Sequence, residues 1–454
     1  MEEKQENNLK TPGDNSNTSQ KIIQGEFCYN LSKNLLHREE YEKNNHFNIP
    51  NDNYYSKNKE NNNQYKDSHF KLTDNQNNDI LNNYINSQNI NINNQLDEKK
   101  NENSIIFFKK YRKEPRTALE NKIHISYLNA VLQSIGHIKK FAFYFLKNKE
   151  EIFKNAKKKP LSFVTSRLLI HLYPYPEKFQ CETYSTKSYL QVLASLNLIY
   201  KTEELKNPID LLIFILDTLD SENNNKINHQ INFKKFDFND TLEKNLKYFS
   251  DNKNVISKNF NWFQLTLSKC SNCNKTMYKL LSFNTFNLDI LNSYLINGKK
   301  EVSIYDCLNL YELEKTQKLR CDGCDNKFRE LRFINKIFYG PDTFIFLIDR
   351  GINFNKANIL MEIPFKIEEN LDLSKYIFYK ESKKLKYELS GIVSYLLKEK
   401  KFVSYCISPI DDNWYFYNDE IVEYTDLNII LDKHNENKTN VPFILFYRTI
   451  PQKK

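Results

Sequence analysis

Two pairs of cysteines carry the clearest chemistry in this sequence. In "LSKCSNCNKT" and "LRCDGCDNKF", Cys270 and Cys273, then Cys321 and Cys324, are separated by two residues. That spacing lets both sulfurs of a pair face one ion, and two such knuckles supply the four thiolates of a closed tetrahedral Zn2+ site. With every position filled by protein, the zinc would be structural and not hydrolytic. The alternative is four reduced, unliganded cysteines in turns. The long gap from Cys273 to Cys324 requires intervening strands to bring the knuckles together. Cys307 in "SIYDCLNLY" and Cys406 in "VSYCIS" sit within apolar patterns and read as core, whereas Cys28 and Cys181 have no evident role.

The elements around the knuckles change character along the chain. From about 115 to 255 the period is helical. In "SYLNAVLQSIGHIKKFAFYFL", Leu128, Val131, Leu132 and Ile135 fall at i, i+3, i+4, i+7, one apolar stripe. "LSFVTSRLLIHLY", "STKSYLQVLASLNLIY" and "PIDLLIFILDTLDSE" repeat the texture, with Pro208 placed for a first turn. A polar stretch between 222 and 260 reads as an insertion loop. After 260, "NWFQLTLSKC", "TFIFLIDR", "KYELSGIVSYLL", "KFVSYCIS", "NWYFYNDEIVEY" and "VPFILFYRT" are β-branched, aromatic and largely alternating. Helices first and strands later predict an α+β domain.

Residues 1–104 hold 27 Asn, few aliphatic clusters and no sustained period. Such a segment buries too little apolar surface to offset its ordering entropy, so a disordered, low-complexity Asn/Lys-rich tail is expected there. The net charge of +9 is mild for 454 residues and describes a solvated surface. No compact nucleic-acid signature is present, so nucleic acid is not an expected partner, the Lys-rich tracts "KKYRKEPR" and "FKNAKKKP" being the alternative. The N-terminus lacks an apolar signal segment and no long apolar run follows. An intracellular protein, cytoplasmic and/or nuclear, with no membrane association is expected.

With helix, knuckles and terminal strands in hand, residues 116 to 450 resemble the ubiquitin-specific protease family of deubiquitinases. "ALENKIHISYLNAVLQSIGHI" is similar to that family's Gly-Leu-x-Asn-x-Gly-Asn-Thr-Cys-Tyr-x-Asn-x-x-x-Gln box, with Leu119, Asn121, Tyr127, Asn129 and Gln133 in register. "GPDTFIFLIDR" looks like its Leu-Pro strand, keeping Pro341 and Arg350, and "KYELSGIVSY", "FVSYC", "NWYFYNDEIVEY" and "VPFILFYR" resemble its last box in order and spacing. The resemblance implies a papain-like fold. Its helical thumb would span about 115–255, zinc-ribbon fingers about 260–335 and a β-rich palm about 336–450.

The same resemblance locates the chemistry, and there the sequence departs. The family's nucleophilic cysteine position holds Ser126, and its general-base histidine position holds Lys401, preceded by Lys400 in place of a glycine. No histidine occurs between His229 and His434, and His434 falls in the polar loop "LDKHNENKTN". The third triad position is Asn418, which with no imidazole to orient reads as a hydrogen-bonded turn residue. The oxyanion-hole asparagine is replaced by His124, beside Ile123 at a turn glycine; a β-branched residue resists positive φ. The segment that holds the substrate tail corresponds to "KNPIDL", where Lys206 and Asn207 replace a Gln-Asp pair and Asp210 keeps an acid. Asn207, Asp210 and Tyr405 are the expected substrate-side residues.

A hydroxyl is far harder to ionise than a thiol, and the usual base is missing. The expectation is a pseudoenzyme of the deubiquitination pathway that binds ubiquitin or a ubiquitin-like protein, or scaffolds a multiprotein assembly. Two alternatives remain: an active isopeptidase built on a Ser126–Lys401 dyad, and an RNA-processing scaffold of the spliceosomal or deadenylation kind.

Overall fold

The computed structural model describes residues 107–108, 116–121, 124–175, 183–202, 204–224, 254–298, 301–351, 359–378, 385–436 and 438–450. The predicted tail 1–104, Ile123, Cys28, Cys181 and most of the polar stretch after 224 lie outside these residues.

The expected helix is α1, Ser126–Gly136. Its apolar stripe is buried as the period predicts, but so is every other residue of the helix. A helix enclosed on all sides must satisfy its polar side chains internally. Gln133 donates from Nε2 to the Thr117 carbonyl at 2.9 Å, and Ser134 bonds back to the Ala130 carbonyl at 2.9 Å. The apolar cluster around it also takes in α2 (Lys139–Lys147), α3 (Pro160–Leu172), α4 (Lys187–Leu196), α5 (Pro208–Asn223) and α6 (Val255–Phe260), of which α2 and α5 pack directly on α1. Asn207 caps α5 by accepting from the Ile209 amide at 2.9 Å, with Pro208 in the first turn as predicted. Asn254 caps α6 by accepting from the Ile256 and Ser257 amides.

Apart from a short parallel pair, Ala118–Leu119 with Thr183–Tyr184, the described strands begin at residue 262. β1 (Trp262–Cys270) and β2 (Thr276–Phe283) form a hairpin, and β3 (Phe286–Leu288) leaves it for a second sheet. β4 (Lys315–Cys321) and β5 (Lys327–Tyr339) complete a four-stranded sheet in the order β2-β1-β5-β4. The larger sheet adds β6 (Thr343–Ile348), β7 (Lys386–Leu396), β8 (Lys401–Ile407), β9 (Trp414–Asn418), β10 (Ile421–Thr425) and β11 (Asn440–Thr449). Its order is β10-β9-β8-β7-β11-β6-β3, with Asn370–Asp372 paired to β7 at one end.

One face of this sheet, through Val393, Tyr395, Phe402 and Phe443, joins the helical core around α1. The other face, through Tyr387, Leu389, Ile392 and Leu445, covers Trp262, Phe286, Ile290 and Ile304. The stretch 286–308, grouped with the knuckles by sequence, therefore packs against the larger sheet. Cys307 and Cys406 are both buried, as their apolar patterns predict. Arg350 is 1% exposed and donates to the carbonyls of Leu360, Ile363 and Pro442. No described helix is long and apolar enough to cross a membrane.

A candidate active-site cleft and a four-cysteine cluster

A cleft of about 600 Å3 opens between the start of α1 and the turn joining β7 to β8. Asn121, His124, Ser126, Leu205, Lys400 and Lys401 line it, with the carboxylates of Glu204 and Glu399. The fold thus brings together three of the residues singled out by sequence, Ser126, Lys401 and His124. Ser126 is the first residue of α1 and only 2% exposed. Its Oγ accepts a hydrogen bond from the Phe402 amide at 3.2 Å, which ties α1 to β8. Lys401 begins β8, and its Nζ lies 3.2 Å from Glu399 and 3.8 Å from Asp419.

Both walls of the cleft use left-handed backbone without glycine. His124 has φ +52° and Lys400 φ +53°. Each conformation carries strain on the order of 1 kcal/mol for a residue with a Cβ. Ile123, expected to resist positive φ, lies outside the described residues; its neighbour His124 is left-handed. Lys400 is held in place by its amide, which donates to the Leu396 carbonyl at 2.8 Å and closes the β7–β8 turn.

The carboxylate that organises this region is Asp419, one residue beyond the expected position. Its two side-chain oxygens accept from Asn121 Nδ2 at 2.8 Å and Asn129 Nδ2 at 2.9 Å, and its carbonyl accepts from the Leu119 amide at 2.9 Å. Asn121 Oδ1 accepts from the Ile125 amide at 2.8 Å, which anchors the approach to α1. Burial raises the Asp419 pKa, opposed by the bonds from Asn129 and Asn121 and by Lys401. Asn418 corrects the expectation of a hydrogen-bonded turn residue. It ends β9, it is 8% exposed, and its buried Oδ1 has no hydrogen-bond partner among the described residues. The signal for Asp419 was present in the adjacent "ND" of "WYFYNDEIVEY". With φ +53°, Asp419 turns its carboxylate back toward α1.

His434, expected in a polar loop, is 3% exposed inside the larger sheet's core. Its Nδ1 lies 2.7 Å from the Ile430 carbonyl and its Nε2 2.7 Å from Ser394 Oγ. His137, at the end of α1, repeats the arrangement, with Nδ1 2.6 Å from the Gln133 carbonyl and Nε2 2.6 Å from Tyr417 Oη. A carbonyl can only accept, so each Nδ1 carries the proton and each Nε2 accepts from the hydroxyl. Burial pushes both pKa values down to about 4. Both imidazoles are engaged on both nitrogens, away from Ser126. His124, exposed at the cleft rim, makes no side-chain hydrogen bond to a described residue.

The expected substrate-side residues are dispersed. Asn207 is a helix cap and Asp210 is exposed in the first turn of α5. Lys206 pairs with Glu204 at 2.9 Å. Tyr405 is 1% exposed, stacks on Phe416 at 4.9 Å and accepts from Asn440 Nδ2 at 2.6 Å. It is a core residue and presents nothing to the cleft.

At the end of the four-stranded sheet, Cys270, Cys273, Cys321 and Cys324 place all their sulfurs within 4.8 Å of one another. The Cys270–Cys324 and Cys273–Cys321 pairs are 3.9 and 3.6 Å apart. Metal–sulfur bonds of about 2.3 Å in a tetrahedron put neighbouring sulfurs about 3.8 Å apart, so the four residues could hold a metal ion after small side-chain adjustments. Each knuckle turns on a left-handed Asn or Asp, Asn274 at φ +56° and Asp325 at φ +53°. Gly323 is required by space, since a Cβ there would meet Cys273 Sγ at 2.8 Å. The amides of Cys273 and Asn272 aim at Cys270 Sγ and lower its pKa to about 6, while burial and the neighbouring sulfurs push Cys321 up to about 12. Sulfurs this close ionise together only around a cation.

A family model described as ubiquitin carboxyl-terminal hydrolase matches residues 117–447. Among solved structures, the chain is similar to the SAGA DUB module Ubp8/Sgf11/Sus1/Sgf73 bound to monoubiquitin. The TM-score is 0.53 at 16% identity, covering 82% of this chain and 74% of that one. The module bound to ubiquitin aldehyde matches with TM-score 0.53 and 16% identity over 75% and 72% of the two chains. A yeast SAGA DUBm with an Sgf73 mutant gives 0.52 and 16% over 75% and 70%. At this identity the likeness is one of fold.

Proposed function

The chain belongs to the ubiquitin carboxyl-terminal hydrolase family, and from that premise we propose that it is a member without peptidase chemistry that binds ubiquitin or a ubiquitin-like protein, within a multiprotein assembly. The observation that carries this reading is the orphaned Asn418 Oδ1. In the family this position orients the catalytic imidazole. Here, among the described residues, nothing donates to the buried acceptor, as expected where that ring is gone.

The neighbouring residues support the same reading. Ser126 Oγ accepts from the Phe402 amide and the residue is only 2% exposed. Lys401 Nζ is paired with Glu399 and Asp419 and not with Ser126, which opposes a Ser126–Lys401 dyad. His124 at the oxyanion position projects from strained backbone. We assign the helices of about 115–255 as thumb, the four-stranded sheet as fingers and the larger sheet as palm. Zinc is the metal the four cysteines suit, a thiolate tetrahedron that locks the fingertip and leaves no open position for hydrolysis. The solved neighbour bound to monoubiquitin supports ubiquitin as the ligand.

The test pairs calorimetric titration of ubiquitin with a ubiquitin-AMC and diubiquitin cleavage assay on the same preparation. Binding without turnover, unchanged in Ser126→Ala, is expected. Cleavage abolished by Ser126→Ala would overturn the proposal, and absence of both binding and turnover would leave only the scaffold role.

A further inference from the structure

The chain's positive charge is unevenly placed. Residues 262–283 and 315–339, which build the four-stranded sheet and its knuckles, hold ten Lys and Arg against three Asp and Glu, in a chain whose net charge is +9. Strand register sorts these residues by face. Leu331 pairs with Cys270 and Gln317 on the face that carries the cysteines. On the opposite face, Arg332 stands between Lys269 of β1 and Thr316 of β4, Lys318 faces Glu330, and Arg320 faces Phe328. All seven of these side chains are exposed. Four cations therefore share one open face with a single carboxylate. Lys269, Lys318 and Arg332 make no ion pair with a described residue.

Phe328 adds a second, independent feature. It is 63% exposed, and the Arg320 guanidinium lies 5.3 Å from its ring centroid. An exposed aromatic on a β-face flanked by cations is the arrangement that stacks a base while its neighbours neutralise the backbone. The pleat sets the cations about 7 Å apart along a strand and about 5 Å apart across strands, a two-dimensional lattice suited to an extended polyanion. From this placement we propose that the open face of the four-stranded sheet binds single-stranded nucleic acid. Lys269, Lys318, Arg320 and Arg332 contact phosphates and Phe328 stacks a base. An acidic protein segment would satisfy the charges but bring nothing to stack on the exposed ring. This site is separate from the cleft and does not depend on the function proposed for it.

The test is fluorescence anisotropy with the full chain and a labelled oligouridylate of about 16 nucleotides. Four phosphate contacts on a single strand predict that log K falls with log salt with a slope of about −3. The Lys269→Ala, Lys318→Ala, Arg320→Ala, Arg332→Ala variant is expected to flatten that slope and to weaken binding at least about 100-fold at about 50 mM salt. Phe328→Ala is expected to weaken binding about tenfold with the slope unchanged. All five positions are exposed, so unchanged thermal unfolding verifies that the variants fold. Three results would overturn the proposal: no binding at low salt, binding that survives the fourfold variant, or equal competition by a polyglutamate of matched charge.

Discussion

Asp419 and Asn418 are neighbours with opposite circumstances, and that contrast can be measured. Asp419→Ala removes the carboxylate acceptor from two amide donors, those of half-buried Asn121 and buried Asn129, and from the pairing with Lys401. A loss of about 3 kcal/mol in urea unfolding is expected. Asn418→Ala removes an acceptor that has no partner, and a change of about 1 kcal/mol or less is expected. The two buried histidines make a pH prediction. Their folded pKa of about 4 lies below the ordinary 6.5. Between those values the unfolded chain binds protons that the folded chain refuses, so stability is complete above pH 6.5 and falls as pH drops toward 4. The loss between pH 7 and 5 is on the order of 2 kcal/mol per imidazole. His434→Gln should remove one such increment from the pH dependence of the urea midpoint; an unchanged profile would refute the assignment. At this scale the sequence named the cleft residues Ser126, Lys401 and His124 but missed Asp419 and misjudged Tyr405 and His434. Register to a family box identifies a position, whereas burial depends on which strands flank it.

Elements were more legible than their partners. The helical period of α1, the cap and proline of α5, the alternation of β1 and of the first half of β7, and the continuous apolar run of β11 are local properties, readable from a few residues. That α1 is enclosed on all sides is not local, because the strand that covers it lies more than 250 residues away. The basic face of the four-stranded sheet was illegible for the same reason. Its cations come from three strands and form no linear tract. The knuckles occupy a middle position: spacing singled out the four cysteines, and the space around Gly323 accommodates their closeness. Gly323→Ala would drive a Cβ into Cys273 Sγ and the Lys275 side chain. We expect that variant to purify with less than half the zinc of wild type by colorimetric release, while Gly298→Ala, where a Cβ meets nothing but φ is +55°, leaves zinc content unchanged.

Across the whole molecule, stability is unevenly distributed. The helical side and the larger sheet each enclose an extensive apolar cluster, whereas the end of the four-stranded sheet has only Leu331, the cysteines and a few half-buried neighbours. So small a core would be strengthened by the proposed metal acting as a cross-link. Chelation should therefore abolish hydrogen-exchange protection in β4 and the adjoining part of β5 while β7 and β11 stay protected; uniform loss throughout would contradict this division.

The strand order of the larger sheet also governs how the protein can be made. β11, residues 440–449, lies between β7 and β6, and it supplies the inner neighbour of both. A ribosome delivers the chain from its N-terminus, so Phe344, Phe346 and the rest of β6 wait for a partner translated almost a hundred residues later. During that interval two apolar strand edges stand open to any chaperone, or to any other nascent chain, that reaches them first.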